Sequence, residues 1–213
     1  MMSQPDVLRP PRIAAWLLSL FTPAGDAESL TGDLLEEFSG IATKSGLAVA
    51  RAWYWRQALN SIVHLTATAF RTAPWSMLIA VAGGFWLTGF ATRISEHAMR
   101  SFLDSQRLYE LHPDAYLFWL TFPLLIGRVI LCALIGGFVA LAARTRGMPA
   151  VVVLAVVEMA LFVAGAVAVI ASGHAWLNWF LDMLPWNCFC AAAMIAGGAI
   201  VSSRRRRPAI VPG

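Results

Sequence analysis

Trp53-Tyr54-Trp55-Arg56-Gln57 is the stretch at which the character of this sequence changes. It combines three aromatic rings with a cation, a composition that is enriched where a chain passes from water into the headgroup region of a membrane. Charges of both signs occur regularly before it, whereas long runs with almost no charge follow it. The stretch therefore predicts the junction between a small soluble segment and a membrane domain.

The composition favours an integral membrane protein. Of 213 residues, 59% are hydrophobic and only 13% are charged, which is more apolar than a soluble domain of this size. Several runs almost free of charge reach about 20 residues, the length that an α-helix needs to cross a bilayer. These runs predict four spans, at about residues 72–92, 115–143, 148–173 and 183–203. The predicted fold class is all-α, with a small cytoplasmic helical prefix followed by a four-helix transmembrane bundle.

Basic residues cluster on one side of these four spans. Arg144 and Arg146 lie between the second and third spans, and Arg204 to Arg207 follow the fourth. Loops rich in arginine and lysine stay in the cytoplasm, so both termini are predicted to be cytoplasmic, in a bacterial inner membrane. Residues 204–213 form a basic tail. Because the arginine run directly follows an apolar span, we interpret it as a topology signal and expect the lipid bilayer, not nucleic acid, as its partner.

Residues 1–58 predict the cytoplasmic helical prefix. Apolar side chains recur in it at helical spacing. The residues predicted to face inward are Ile13, Trp16, Leu17, Leu20 and Phe21 in a first helix, Leu30, Leu34, Phe38 and Ile41 in a second, and Ala50, Trp53 and Tyr54 in a third. Three helices in so short a segment make a thin core. We therefore expect the prefix to lean on the membrane, a second copy or another protein. Residues 59–71 predict a separate elbow helix at the cytoplasmic interface.

Three motifs of the prefix resemble a known family. They are Pro10-Pro11-Arg12-Ile13-Ala14-Ala15-Trp16-Leu17-Leu18, Gly32-Asp33-Leu34-Leu35-Glu36-Glu37-Phe38 and Trp53-Tyr54-Trp55-Arg56-Gln57. Their order and content are similar to the permease prefix domain, the N-terminal helical domain of bacterial ABC permeases of the macrolide-exporter type. Those permeases continue much further, with large extracytoplasmic domains, whereas this sequence has 213 residues. The resemblance therefore implies a cytoplasmic interaction module on a membrane anchor rather than a transporter.

Two sets of residues are candidates for protein contacts. The candidate interaction face of the prefix comprises Asp33, Glu36, Glu37, Trp53, Tyr54, Trp55 and Arg56. Its acidic members can equally form a solvated face with weak ion pairs. Small residues also recur at four-residue spacing in every span, at Ala80 and Gly84, Ala133 and Gly137, Ala160 and Ala164, and Ala193 and Gly197. This spacing allows helix backbones to approach closely, which predicts a packed bundle and is compatible with a homodimer.

Arg128 and Glu158 are charges inside predicted spans, and such residues are costly unless they are paired or functional. Measured from the cytoplasmic ends of their spans, they lie at depths of about 24 Å and about 14 Å. This difference favours a stretched pair, or outward snorkelling of Arg128 toward water or Asp182. The alternative is a proton or ion relay.

The remaining sequence features indicate no enzyme. The three cysteines, Cys132, Cys188 and Cys190, lie in apolar segments without zinc-site spacing, and we interpret them as small buried hydrophobes. The sequence has no phosphate-cradling loop, nucleophile elbow or two-histidine helix motif. We therefore predict no catalytic, metal or cofactor site. The expected function is that of a membrane protein whose prefix binds a partner, as an accessory to a transport system; the alternative is a small transporter or channel that uses Arg128 and Glu158.

Overall fold

The computed structural model describes residues 9–22, 27–143, 146–172 and 177–205. Regular structure in these residues is entirely helical, without strands, which confirms the predicted all-α class at this level. The helices are α1 (Arg12–Phe21), α2 (Ala27–Ser45), α3 (Leu47–Thr72), α4 (Pro74–Ser105), α5 (Leu108–Leu111), α6 (Pro113–Ala142), α7 (Gly147–Ala171) and α8 (Leu177–Arg205). The chain divides into two compact units, an N-terminal unit that ends at Pro74 and a membrane unit, Trp75–Arg205.

Helix α3 is the centre of the N-terminal unit, because α1 and α2 each pack against it. The core of the unit consists of side chains at four-residue spacing, namely Ala14 and Leu18 from α1, Leu34 and Phe38 from α2, and Ala50, Tyr54 and Ala58 from α3. Residues four apart lie on one face of a helix. Each helix therefore contributes one narrow face to a closed core, as predicted for α2 and α3.

Helix α1 packs only partly through the predicted face: Leu20 and Phe21 are buried as predicted, but two other members of the predicted stripe are not. Ala14 and Leu18 are buried, whereas Ile13 and Trp16 are 64% and 47% exposed. The sequence of α1 has no charged residue after Arg12, so its periodicity does not define a single apolar side. The small side chain of Ala14 allows close approach to α3, and part of the predicted stripe consequently stays on the surface.

The separate elbow helix predicted at residues 59–71 is wrong, because α3 runs without interruption from Leu47 to Thr72. No glycine or proline interrupts this segment. The helix ends at Ala73, which precedes Pro74 and has the extended φ of −149° that a following proline favours. The helix boundary is therefore at residue 73 rather than near residue 59.

Four helices of the membrane unit are long and apolar enough to cross a membrane: Pro74–Ser105, Pro113–Ala142, Gly147–Ala171 and Phe180–Arg205. They confirm the predicted number of spans and indicate a multi-pass membrane protein. Helix α4 continues 13 residues beyond the predicted end at Thr92, since residues 93–105 contain no glycine or proline. Most of the predicted connection between the first two spans is thus helical.

Small residues bring α6 and α8 into backbone contact. A methyl group on Gly136 would collide with the carbonyl oxygen of Met194, and one on Gly197 would collide with the carbonyl oxygen of Ala133. Of the predicted small-residue pairs, those in α6 and α8 therefore pack against each other, as expected for closely approaching membrane helices.

The other two predicted small-residue pairs differ from each other. In α4, a Cβ on Gly84 would lie 2.6 Å from Leu154 of α7 and 2.8 Å from Val139 of α6, so this glycine also fits a close contact. In α7, Ala160 and Ala164 are exposed and face away from the bundle.

The ends of α6 and α8 lie side by side. A guanidinium nitrogen of Arg205 donates a hydrogen bond of 3.4 Å to the carbonyl oxygen of Leu141, and α7 begins at Gly147, shortly after α6 ends. Arg146, Arg204 and Arg205 therefore lie at the same end of the membrane unit. Arg144 and residues 206–213, which belong to the predicted basic connections, are outside the described residues.

Candidate functional site

The four spans share a small internal cavity of about 20 Å³. It is lined by Thr88 of α4, Arg128 and Cys132 of α6, Glu158 and Met159 of α7, and Asn187, Cys190, Ala191 and Met194 of α8. A cavity needs about 10–15 Å³ to hold one water molecule. The space therefore has room for one water molecule or one small ion.

The lining residues recur at helical spacing. Arg128 and Cys132 are four apart on α6, and Asn187, Cys190 and Met194 are three and four apart on α8. Residues at these spacings lie on one side of a helix. Polar and sulfur-bearing side chains thus occupy the inward face of two helices whose outward faces carry Leu, Ile and Phe residues.

Arg128 and Glu158 meet at this cavity. Arg128 precedes the end of α6 by 14 residues, and Glu158 follows the start of α7 by 11 residues. At 1.5 Å per residue, they lie about 21 Å and about 16.5 Å from the same end of the unit. The difference in depth is thus about 4.5 Å, less than half of that expected from the sequence.

Both charged side chains are half-buried and electrostatically coupled. The Nε of Arg128 and the Oε1 of Glu158 are buried and have no hydrogen-bond partner among the described residues. Buried polar groups are costly unless they are satisfied. Arg128 and Glu158 line one cavity, so a single water molecule or ion in it would lie beside both side chains.

Thr88 and Asn187 are site residues that sequence analysis missed. The hydroxyl of Thr88 donates a 2.9 Å hydrogen bond to the carbonyl oxygen of Gly84 and lies beside the Glu158 carboxyl group. The amide nitrogen of Asn187 donates a 2.8 Å bond to the carbonyl oxygen of Met183. Each is a polar residue in an apolar helix, and this is the one feature of the sequence from which they could have been predicted as site residues.

Two of the three cysteines lie at the same place. Cys132 and Cys190 are buried on the cavity wall and their thiols are within hydrogen-bonding reach of each other. Cys188 is exposed on α8, so its predicted burial is wrong. A rotation of about 200° separates residues two apart on a helix, which places Cys188 and Cys190 on nearly opposite sides.

A larger cleft of about 1240 Å³ lies between the second half of α4 and the first half of α6. Most of its wall is apolar, with Phe102 and Trp119 among the large side chains. Glu96, Arg100 and Arg128 contribute charges. Arg128 lines both this cleft and the small cavity, and is therefore the residue that connects the two spaces.

The candidate interaction face of the prefix is only partly on the surface. Asp33, Glu36 and Glu37 of α2 and Arg56 of α3 are exposed, whereas Trp53 and Trp55 are half-buried against the core. Three of its four α3 residues thus contribute at least partly to the packing of the unit.

Tyr54 belongs to the core of the N-terminal unit. Its ring packs edge-on against Phe38, with centroids 5.8 Å apart and planes at 87°, and against Trp53 at 6.4 Å. Its hydroxyl has no hydrogen-bond partner among the described residues, and burial raises the pKa of Tyr54. This residue is therefore not available to a partner.

Comparison of the chain with known protein families, with curated proteins and with solved structures gives no match. The resemblance to the permease prefix domain thus stays a prediction from the residues. Among the described residues, no group of three or more histidine, cysteine, aspartate and glutamate side chains is arranged for metal binding.

Proposed function

We propose that this protein is an accessory or regulator of a transport system in a bacterial inner membrane. Its N-terminal unit binds another protein, and its membrane unit anchors that module, with both termini in the cytoplasm. The resemblance of three prefix motifs to the permease prefix domain supports the assignment. The basic residues at one end of the membrane unit support the orientation.

The observation that carries the proposal is the surface of α1. The N-terminal unit closes its own core, yet Ile13 and Trp16 stay exposed on a helix without charge after Arg12. Tryptophan is enriched among the residues that dominate protein interfaces, where it fills pockets of the partner. Exposed acidic residues on α2 add a polar surface to the same unit.

The experiment places a photo-crosslinking amino acid at Trp16 in the full-length protein in native membranes. Val49, an exposed apolar residue on α3, is the matched control position. We expect one protein to be crosslinked from residue 16 and not from residue 49, and Ile13→Ser to lower the yield. A transport protein as that partner supports the accessory role. Crosslinks from residue 16 to lipid or to the same chain alone would contradict it.

A control chain that lacks the N-terminal unit should begin at Trp75. A chain that begins near Leu59 would keep the second half of α3 without the core residues of its first half. Neutralisation of the acidic residues in the full-length chain, by Asp33→Asn, Glu36→Gln and Glu37→Gln, separates an electrostatic contribution from the apolar one. If these changes lower crosslinking from residue 16, α2 contributes to the same interface.

A second candidate function is that of a small transporter or channel, which the shared cavity of Arg128 and Glu158 favours. Arg128 also lines the large cleft, so a charged side chain lies where the two spaces meet within apolar helices. Proton flux into liposomes that contain the purified protein tests this function. Flux that is lost in Glu158→Gln but kept in Glu96→Gln, which lines only the large cleft, would support it. Equal flux in both variants would exclude it.

A further inference from the structure

Several sulfur-bearing side chains line the small cavity, and neither proposed function uses them. Cys132, Cys190 and Met194 are 2%, 8% and 2% exposed, and all three line the cavity. We call these three residues the sulfur cluster. Cys190 and Met194 are four apart on α8, and Cys132 faces them from α6. Met159 of α7 adds a second thioether to the wall.

The packing of α6 on α8 holds the sulfur cluster in place. The backbones touch at Gly136 and Met194 and at Ala133 and Gly197, directly beside the two cysteines. Side chains anchored on such closely packed helices have little freedom to move apart. A binding site needs this kind of rigid support to keep its donor atoms at a productive distance.

Thiolates and thioethers are soft ligands that select Cu(I), zinc and iron–sulfur clusters. Zinc is usually held by four cysteine, histidine or carboxylate ligands, so two thiolates with a thioether favour Cu(I). The cavity of about 20 Å³ has room for one such ion. Two cysteines and a methionine supply three sulfur donors to a monovalent ion. A hard divalent ion such as Mg²⁺ prefers oxygen ligands. The oxygen-bearing side chains of this wall, Thr88, Glu158 and Asn187, share it with the Arg128 cation, which repels a divalent ion more strongly than a monovalent one.

We propose that the sulfur cluster binds one Cu(I) ion through Cys132, Cys190 and Met194. Both thiols lose a proton on binding, since the thiolate is the metal ligand. The two thiolates and the monovalent ion together carry one negative charge. The guanidinium of Arg128, on the same wall, compensates it; the Glu158 carboxylate can accept one of the released protons, and the other passes to the buffer. The site is independent of what the N-terminal unit binds.

The test is a titration of the reduced full-length protein in detergent with Cu(I) buffered by the chelator bicinchoninate. We expect one Cu(I) per chain, retained in Cys188→Ser, which removes the exposed neighbouring thiol as a matched control. Cys132→Ser and Cys190→Ser should each weaken binding by more than the roughly 10- to 100-fold that loss of an outer-sphere partner costs. Met194→Leu, which keeps the volume, should weaken binding less.

X-ray absorption of the copper-loaded wild-type protein gives a readout that does not depend on the folding of a variant. We expect a first shell of sulfur atoms only. Nitrogen or oxygen ligands in that shell would overturn the proposal. Binding that is no tighter than in the Cys132→Ser/Cys190→Ser double variant would also overturn it, as would an equal loss in Cys188→Ser. A Cys132–Cys190 disulfide together with no Cu(I) binding after reduction would identify a redox pair instead.

Discussion

Gly136→Ala tests the closest helix contact in the membrane unit. The added methyl group would overlap the carbonyl oxygen of Met194, far inside the 3.4 Å at which ordinary contact begins. The obstacle is backbone, which cannot rotate away, so α6 and α8 must separate. Overpacking of this kind costs about 1–3 kcal/mol. Gly127→Ala is the matched control on the same helix, because a Cβ there meets nothing within 4 Å.

The two buried cysteines beside this contact report the separation. In a Cys188→Ser background, maleimide labels Cys132 and Cys190 only when α6 and α8 move apart. A loss of one or two kcal/mol raises the open population by a factor of about 5–30. We therefore expect labelling to be faster by about that factor in Gly136→Ala and unchanged in Gly127→Ala. Equal rates in the two variants would refute the close approach of the helices.

Three further predictions concern the charged pair and the core of the N-terminal unit. Glu158→Gln and Arg128→Met should show a coupling free energy of at least about 0.5 kcal/mol in a double-mutant cycle of unfolding, because both line one cavity; additive effects would show that they are independent. Phe38→Ala should destabilise the N-terminal unit by about 3–5 kcal/mol, measured by hydrogen exchange in the full chain. The exposed control Leu35→Ala should change its stability by at most about 0.5 kcal/mol. Tyr54→Phe should be neutral or stabilising, since the Tyr54 hydroxyl has no hydrogen-bond partner in the described structure. Burial raises the pKa of Tyr54 above its ordinary value of 10.0. As the pH rises above 10.0, the tyrosine of the unfolded chain therefore ionises before that of the folded chain, and the free energy of unfolding falls. Tyr54→Phe should lack this alkaline loss, and a loss of equal size in both proteins would contradict the assignment.

The spans were predictable because each depends on the summed hydrophobicity of about 20 neighbouring residues. The ends of the helices were less predictable. The charges at residues 93–114 indicated a loop or a short helix between the first two spans, whereas α4 continues to Ser105, because charge does not stop a helix that lacks glycine and proline. For the same reason, the elbow predicted at residues 59–71 is part of α3.

The candidate site was predictable only in part. Arg128 and Glu158 stood out because charge is rare in a span. Ile13 and Trp16 illustrate the limit of periodicity: a helix that is apolar on several sides does not specify which side will pack. The structure selects the face with Ala14 because a small side chain permits close packing on α3.

The sequence by itself determined the helical class, the number of spans and the presence of two charges within them, because hydrophobicity and spacing are local properties of the chain. The tertiary structure decided which of these residues meet. Cys132 and Cys190 are far apart in sequence, and they face each other only because Gly136 and Gly197 allow α6 and α8 to touch. The same packing brings Thr88, Arg128 and Glu158 to one cavity, since the rotation of each helix about its axis depends on its neighbours.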